Sequence, residues 1–154
     1  RPRTAVFLNG VSYAHDLGYR SLLEAWARDG LIEWWGKRDD MPAVFAASHI
    51  VCLPSSYGEG IPKVLIEAAA CGRAIVTTDT PGCREITHHG ENGLLIPKDD
   101  SAALAQAVRQ LIDDAPLRQM MGIRGRQIAV DEFSETHVFG AVFRLYRELL
   151  KEQK

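Results

Sequence analysis

Cysteine is scarce in this sequence, and the few cysteines lack the spacing of a functional site. Cys52, Cys71 and Cys83 are odd in number and lie in apolar or loop sequence without a C-x-x-C pair. A disulfide framework and a zinc or redox site are therefore not expected. We interpret all three as ordinary reduced thiols, which favours a cytoplasmic location.

The sequence also lacks an excess of charge and a long apolar run. Lys and Arg number 18 against 20 Asp and Glu, a formal net charge of -2, and like charges do not cluster. A nucleic-acid partner is therefore not expected. The best apolar run, AVFAASHIVCLP at 43–54, is shorter than the roughly 20 residues that cross a bilayer. No signal-peptide pattern is present either, so any membrane contact would be peripheral.

A dinucleotide-binding fingerprint and internal repeats are missing as well. No G-x-G-x-x-G follows the first apolar run, and no segment repeats along the chain. A dinucleotide-dependent oxidoreductase therefore ranks far behind other functions, and a repeat architecture is not expected.

The sequence is rich in short β-branched apolar runs that alternate with segments of helical period. At 154 residues and 46% hydrophobic residues, one domain over 1–154 is expected. The alternation predicts βαβ units, and hence an α/β fold: a Rossmann-like three-layer sandwich with a mostly parallel sheet. The predicted strands are TAVFLN (4–9), LIEWW (31–35), HIVCL (49–53), AIVTT (74–78) and GLLIP (93–97), with helices at 19–29, 41–47 and 62–71.

After Pro97 the pattern is purely helical. One helix is predicted to begin at a capping Asp100 or Ser101, a second at Pro116, and the last near Ser134. Three closing helices at the C-terminus suit a sheet that is covered on both faces.

The stretch YGEGIPKVLIEAAACG (57–72) changes from a loop pattern to a helical one. Pro62 suits a helix start and Gly72 a left-handed exit, which places the helix at 62–71. The preceding loop then lies at the carboxyl end of a parallel strand, where open α/β sheets bind ligands. The exposed N–H groups and dipole of the helix N-terminus favour a phosphate. Either a phosphate-bearing ligand binds here, or the helix is simply well packed.

Two glutamates stand out in this stretch. Glu67 shares a narrow polar stripe of the helix with Lys63. One interpretation is a solvated i, i+4 ion pair, worth a few tenths of a kcal/mol. A lysine in the first turn opposes the helix dipole, and a bound diphosphate would remove that conflict. Glu59 precedes the helix, and we expect the two carboxylates to lie very roughly 10 Å apart.

The block LPSSYGEGIPKVLIEAAACGRAIVTTDTPGCREITHHGENGLLIP (53–97) resembles the signature region of retaining glycosyltransferases with two Rossmann-like domains, the GT-B fold, of the family 4 type. Members carry two glutamates separated by seven residues, which Glu59 and Glu67 match. The resemblance is strong over roughly 26–112 and loose over the closing helices. Its EGIP segment looks most like bacterial surface-polysaccharide and lipopolysaccharide transferases.

The resemblance implies a hexosyl-type transferase that moves a sugar from a nucleoside diphosphate sugar, expected to be a UDP-sugar, to a glycan or lipid-linked acceptor. Glu67 would accept hydrogen bonds from the donor ribose, and Lys63 would lie near the diphosphate. Glu59 would be the catalytic residue that positions the donor sugar and stabilises positive charge in a front-face reaction. Arg38 and Asp39 would flank the base. The other residues implied at the donor are Ser55, Gly60, Ile61, Val64 and Leu65, the last four through or beside backbone N–H groups that face the diphosphate.

Neither a metal nor a cofactor is expected. No D-x-D-like motif stands in a suitable setting, because Asp39 and Asp40 belong to the turn on the base side. The nucleoside diphosphate sugar is the donor substrate and not a cofactor.

The sequence departs from the resemblance at its beginning. Nothing corresponds to the N-terminal domain that binds the acceptor in such enzymes, so we expect the C-terminal donor-binding half, inactive alone. The first strand-helix unit of that half looks absent, although TAVFLNGVSYAHDLGYRSLLEA (4–25) is alternatively a shortened version of it. A missing central strand would leave a gap in the sheet that another chain could fill, giving an oligomer.

The expected location is the cytoplasm, at the inner face of the plasma membrane where the acceptor is lipid-linked. The rival interpretation is a non-catalytic nucleotide-binding or assembly module of the same fold. Such a module would keep the fold without transferring a sugar.

Overall fold

A parallel sheet of four short strands forms the centre of the computed structural model, which describes residues 4–8, 17–56 and 60–151. The strands are β1 (Val6–Leu8), β2 (Ile50–Leu53), β3 (Ala74–Thr78) and β4 (Gly93–Ile96). They pair in sequence order, and every pair is parallel. All four therefore end at the same side of the sheet, which we call the carboxyl edge.

Helices connect and follow the strands. The first two, α1 (Leu17–Arg28) and α2 (Met41–Ala47), lie between β1 and β2. The crossovers to β3 and β4 carry α3 (Lys63–Ala70) and α4 (Pro81–Ile86). The three closing helices predicted from the sequence are α5 (Ser101–Asp113), α6 (Ala115–Phe133) and α7 (Glu135–Lys151). Within the described ranges, no helix has both the length and the apolar character to span a membrane.

Alternate residues of the strands point into two separate hydrophobic cores. Val51 and Ile75 pack on one face of the sheet with buried residues of α2, α3, α4 and the second half of α6. Ile50, Cys52 and Val76 pack on the other face with α5 and with Met121 of α6. This period of two, with helices on both sides, is the expected three-layer Rossmann-like arrangement. Burial also raises the pKa of the Cys52 thiol to about 12, which keeps it protonated at neutral pH.

Helix α6 approaches the backbone at the end of α3 very closely. A Cβ added to Gly122 would lie 2.2 Å from the carbonyl oxygen of Gly72, a separation that no real Cβ contact allows. Gly72 itself has φ of 68° and provides the left-handed exit from α3. The two glycines together let α6 cross the turn between α3 and β3.

Four of the five predicted strands are confirmed, and the one at 31–35 is wrong. That segment lies between Gly30 and Gly36, with φ of 70° and 63°, and joins α1 to α2 without strand structure. Leu31 is 70% exposed and Trp35 41% exposed, so the apolar residues do not form the inward face that a central strand requires. Trp34 and Trp35 therefore lie in this connection and not in a strand.

Two smaller differences concern α3 and α4. Pro62 is the N-cap of α3, and the helix covers 63–70 where 62–71 was predicted. No helix was predicted at α4, a short element with Pro81 in its first turn. The described strands pair consecutively, so the gap expected from a missing central strand is not found in this part of the sheet.

Because α6 contacts the backbone of Gly72, adding one methyl group at Gly122 is predicted to destabilise the protein. We expect Gly122→Ala to lower the free energy of unfolding by about 2 kcal/mol, because the new Cβ must displace backbone atoms of the neighbouring turn. Urea unfolding monitored by circular dichroism measures the change.

Gly140→Ala in α7 is the matched control, because its new Cβ would have only the end of Arg144 within 4 Å. It should leave stability unchanged or raise it by up to about 1 kcal/mol, the helix propensity difference. Equal effects of the two substitutions would contradict the proposed role of the contact.

Candidate functional site

Helix α3 presents a polar stripe beside the carboxyl edge of the sheet. Leu65, Ala68 and Ala69 are buried against the core and fix the orientation of the helix. Lys63 and Glu67 lie away from that face, with 88% and 35% of their side chains exposed. The burial of the apolar face therefore brings the Glu67 carboxylate to a half-buried position one turn beyond the start of the helix.

Lys63 and Glu67 form the predicted i, i+4 ion pair. The ammonium Nζ lies 3.3 Å from Oε1 of Glu67. Because the lysine is almost fully exposed, the pair contributes less than about 1 kcal/mol. The pair therefore does not by itself explain why a cation stands in the first turn, where it opposes the helix dipole.

The N-terminus of α3 supplies backbone donors. In the first turn the N–H groups of Lys63 and Val64 have no acceptor within the helix, as at every helix start. The N–H of Leu65 is different, because it donates to the Pro62 carbonyl at 3.0 Å. Of the predicted amide donors, Lys63 and Val64 are thus the best placed to bind an anion, and Leu65 contributes to packing.

Two threonine hydroxyls at the end of β3 donate hydrogen bonds to the backbone at the end of β2 and in the loop that follows it. Thr77 donates its hydroxyl to the Leu53 carbonyl at 2.7 Å, and Thr78 donates to the Ser55 carbonyl at 2.6 Å. Ser55 is 8% exposed, so it is one of the buried polar residues of the protein. Both bonds run from the carboxyl end of β3 to the start of the loop, which fixes where the chain departs toward α3.

The turn between Gly36 and α2 contains a second charged group. Arg38 donates from Nε to Oδ1 of Asp40 at 2.7 Å, and a second guanidinium nitrogen contacts the other carboxylate oxygen. The guanidinium also lies 5.8 Å from the ring centroid of Trp35. The hydrogen bond from Arg38 lowers the pKa of Asp40, so this exposed carboxylate stays charged. Asp39, which was predicted to flank the base together with Arg38, is exposed, and the ion-pair partner of Arg38 is Asp40.

Aromatic and basic residues line an open cleft next to this turn. The cleft has a volume of about 420 Å³. Trp34 contributes an indole Nε1 that is buried and without a hydrogen-bond partner, and the guanidinium of Arg20 lies 5.6 Å from its ring centroid. The lining residues are Arg20, Trp34, Trp35, Gly36 and Lys37.

A further ion pair at the carboxyl edge was not predicted. Arg84 of α4 donates to Asp79, the residue that follows β3. The hydrogen bond from Arg84 lowers the pKa of Asp79. The available signal was the PGCREI sequence, because a helix there brings Arg84 back toward the end of β3.

The predicted residues just after β2 and in α3 lie near one another along the chain, whereas Arg38 and Asp39 lie in the turn before α2. Glu59 lies outside the described residues. Gly60 and Ile61 are exposed just before α3, Val64 is half-buried, and Leu65 is fully buried. In the described ranges, no three His, Cys, Asp or Glu side chains group as candidate metal ligands.

The family of the chain follows from its sequence. The model of the family "Glycosyl transferases group 1" matches residues 12–114. The chain belongs to this family. N-acetyl-alpha-D-glucosaminyl L-malate synthase of Bacillus anthracis is 30% identical over 119 residues, 77% of this chain and 31% of that protein. The lipopolysaccharide core biosynthesis glycosyltransferase LpsE of Rhizobium meliloti is 30% identical over 116 residues, 75% of this chain and 34% of that protein.

Solved structures give this glycosyltransferase chain the same fold. HepE of Anabaena in complex with UDP has a TM-score of 0.82 at 24% identity, over 94% of this chain and 41% of HepE. The C-terminal domain of LpcC, a glycosyl transferase group 1 protein of Francisella tularensis, has a TM-score of 0.67 at 26% identity, over 79% of this chain and 66% of that domain. The expected Rossmann-like domain of a GT-B glycosyltransferase is confirmed, and the chain spans less than half of HepE.

The unpredicted ion pair leads to a pH prediction. We expect Arg84→Met to raise the pKa of Asp79 toward the ordinary value of about 3.9. Because the folded pKa is lowered, the pair stabilises the protein above that ordinary value. This contribution is lost as the pH falls through the lowered pKa. An NMR titration of the Asp79 carboxyl carbon measures the shift.

Arg38→Met is the control, since it should raise the pKa of Asp40 and leave Asp79 unchanged. An Asp79 titration that is identical in the parent and in Arg84→Met would show that the two side chains do not pair in solution.

Proposed function

We propose that this chain is the donor-binding half of a retaining glycosyltransferase. It binds a nucleoside diphosphate sugar, and we infer a UDP-sugar of hexosyl type. The observation that carries the proposal is the position of Glu67, half-buried one turn from the N-terminus of α3 beside the carboxyl edge. The HepE complex with UDP, in a protein that shares the fold over 94% of this chain, supports the choice of ligand.

Glu67 anchors the nucleotide in this proposal. An ionised carboxylate accepts hydrogen bonds only, and the two ribose hydroxyls are donors at matching separation. Each hydrogen bond to a charged group is worth about 1.5 to 3 kcal/mol, more than the exposed pair with Lys63. The Lys63 ammonium can therefore move from Glu67 toward the diphosphate at little cost.

The diphosphate binds at the start of α3. The N–H groups of Lys63 and Val64 point out of the first turn, and the helix dipole adds positive potential there. Lys63 has an 88% exposed side chain, long enough to reach either the carboxylate or a phosphate. Together these groups neutralise the charge that develops on the leaving diphosphate, so the mechanism that we propose requires no metal.

The base occupies the cleft beside the turn at Gly36. Trp35 and Trp34 provide flat surfaces there, and Lys37 provides a donor. Arg38 is oriented by Asp40 and lies over Trp35, which leaves it beside the cleft. Aromatic and guanidinium planes bind a base by stacking, with about 1 to 3 kcal/mol per base.

Glu59 acts on the sugar. Retention of configuration follows from attack on the same face from which the diphosphate leaves, through an oxocarbenium-like state. A carboxylate next to that state stabilises its positive charge without forming a covalent bond. Glu59 precedes Gly60 and the α3 N-terminus in the chain, which suits a position between the diphosphate and the acceptor.

The acceptor requires a further domain. Helix α7 has no buried residue and exposes eight large apolar side chains, between 41% and 65% of each. Apolar surface of this extent marks an interaction site. We propose that a glycan or lipid-linked acceptor is bound by that further domain in the cytoplasm, at the inner face of the plasma membrane, in surface-polysaccharide synthesis. The chain alone would then be inactive.

The first test of the proposal is Glu67→Gln. We expect its affinity for UDP to be lower by tenfold or more, because a neutral amide forms weaker hydrogen bonds with ribose hydroxyls. Isothermal titration calorimetry with UDP, GDP, ADP and NAD measures the affinities and identifies the base.

Glu91→Gln is the matched control, since Glu91 also forms an exposed ion pair, with Arg124 at 3.5 Å, but stands before β4 at the opposite edge of the sheet. Its UDP affinity should equal that of the parent. A parent chain that binds no nucleoside diphosphate would contradict the proposal, and equal losses in both variants would remove Glu67 from the site.

Lys63 gives a second test, in which binding is expected to weaken while stability is not expected to fall. We expect Lys63→Gln to weaken UDP binding about threefold to tenfold and to leave uridine binding unchanged, since only UDP carries the diphosphate. Stability should be unchanged or slightly higher, because the substitution removes a cation from the first turn of α3. Calorimetry measures the affinities and urea unfolding the stability. An equal loss of affinity for UDP and for uridine would contradict the proposal that Lys63 binds the diphosphate.

A further inference from the structure

An exposed ion pair lies at the carboxyl end of β3. Arg84 of α4 donates from Nε to Oδ1 of Asp79 and from Nη2 to the backbone carbonyl of Asp79 at 3.4 Å. About half of each side chain is exposed, 54% for Arg84 and 46% for Asp79. An ion pair with this exposure contributes little to stability. Stability alone therefore does not account for an arginine at this position.

The guanidinium of Arg84 has a second edge for a further acceptor. Arginine carries five N–H donors in a planar fork, and Asp79 accepts from two of them along the edge formed by Nε and Nη2. The edge formed by Nη1 and Nη2 is spaced to bind two oxygens of one phosphate. Asp79 thus fixes the plane of the guanidinium and leaves the phosphate-binding edge to a ligand.

Helices α3 and α4 both begin at the carboxyl edge. Each connects two parallel strands, α3 from β2 to β3 and α4 from β3 to β4, so each starts where a strand ends. The two helices contact each other, and Leu65 of α3 packs in the same core as Cys83 of α4. The side chain of Arg84 reaches back to Asp79, which precedes the N-cap of α4. Its guanidinium therefore lies at the same edge as the N-terminus of α3, on the neighbouring helix.

A hydrogen bond also joins the end of β3 to the chain that leaves β2. Thr78 precedes Asp79 and donates its hydroxyl to the carbonyl of Ser55 at 2.6 Å. Ser55 is buried and follows β2 by two positions. The Asp79–Arg84 pair therefore stands next to a described residue of the β2 end, and not at a remote part of the edge.

The start of α3 leaves part of a diphosphate charge without a counter-charge. Helix α3 supplies one cation, Lys63, whose ammonium lies 3.3 Å from Glu67. A diphosphate carries more than one negative charge, so one ammonium neutralises only part of it. Arg84 supplies a second positive charge at the same edge, in the geometry that binds phosphate oxygens in pairs.

We propose that Arg84 is a second cation of the donor site and binds the diphosphate through Nη1 and Nη2, while Asp79 orients the guanidinium. Arg84 contacts the donor directly, and Asp79 acts through Arg84. This inference rests on the proposed function, because it takes the diphosphate to lie at the start of α3.

Arg84→Met and Arg84→Lys test the contact with the diphosphate. Calorimetry with UDP and with uridine gives the ratio of the two affinities, which isolates the contribution of the diphosphate. We expect Arg84→Met to lower this ratio about tenfold, because the charge and the paired donors are both lost. Arg84→Lys should lower it about threefold, since an ammonium keeps the charge without the planar fork.

Asp79→Asn separates binding from a structural role of the ion pair. The amide keeps an acceptor oxygen for the guanidinium and removes a negative charge beside the phosphate. We therefore expect its UDP affinity to equal that of the parent or to rise by up to about threefold. A pair that only supports the fold would instead make Arg84→Met lose affinity for UDP and for uridine together.

Arg124→Met is the matched control, because Arg124 also pairs with a carboxylate, that of Glu91 at 3.5 Å, but at the opposite edge of the sheet. It should keep the affinity ratio of the parent. Thermal unfolding should place Arg84→Met and Arg124→Met within about 3 °C of each other, since each loses one exposed pair.

The results distinguish this inference from the proposed function. If the parent binds UDP and Arg84→Met keeps the affinity ratio of the parent, Arg84 does not bind the diphosphate, and the proposed function stands. If the parent binds no nucleoside diphosphate, the proposed function fails, and the role of Arg84 in a donor site fails with it.

Discussion

The parallel pairing of β2, β3 and β4 is the constraint on which the rest of the structure depends. Because β3 is buried along its whole length, its side chains must fill a core on each face. Each strand must then be followed by a crossover that covers one face before the chain returns. All the loops that leave the strands meet at one edge as a result. The topology therefore brings together residues from the ends of β2, β3 and β4 that are distant in sequence.

Polar side chains form hydrogen bonds with backbone groups that this topology leaves unpaired at the ends of the strands. A loop at the end of a buried strand carries backbone carbonyls that no neighbouring strand pairs, and burial without a partner costs free energy. Thr77 and Thr78 stand at the end of β3 and donate to two such carbonyls of the β2 loop. At the opposite edge, buried Asn92 donates to the carbonyl of Ile86 and accepts from the N–H of His88. At both edges, side chains therefore form hydrogen bonds with backbone groups that have no partner in a strand or helix.

Local sequence patterns predicted the parts of the fold that depend on local chemistry. The apolar face of α3, its proline and its glycine were sufficient to place the helix and the Lys63–Glu67 pair. The segment 31–35 was predicted as a strand because its composition suits one. In the structure, glycines with positive φ flank the segment and Leu31 is exposed, so the segment does not join the sheet.

Contacts between distant segments could not be predicted in the same way. Ser56 donates a hydrogen bond to the carboxylate of Asp99, 43 residues away in sequence, and this bond requires the β2, β3, β4 order together with a positive φ at Asp99. The pair of Asp79 with Arg84 depended on recognising α4, a single short helix whose signal was one proline. The position of Glu59 stays a prediction from the family resemblance.

Three exposed ion pairs have the composition that a charged ligand can replace. Lys63 with Glu67, Arg84 with Asp79 and Arg38 with Asp40 are all substantially exposed, so each pair contributes little to stability. A ligand that brings both hydroxyl donors and negative phosphates can therefore replace both halves of one pair, with the carboxylate taking the hydroxyls and the cation taking the phosphates. A ligand that offers only one of these groups would leave the other partner of the pair without its counter-charge. In the proposed function, selectivity for a molecule that carries a ribose and a diphosphate together would then follow from the Lys63–Glu67 pair.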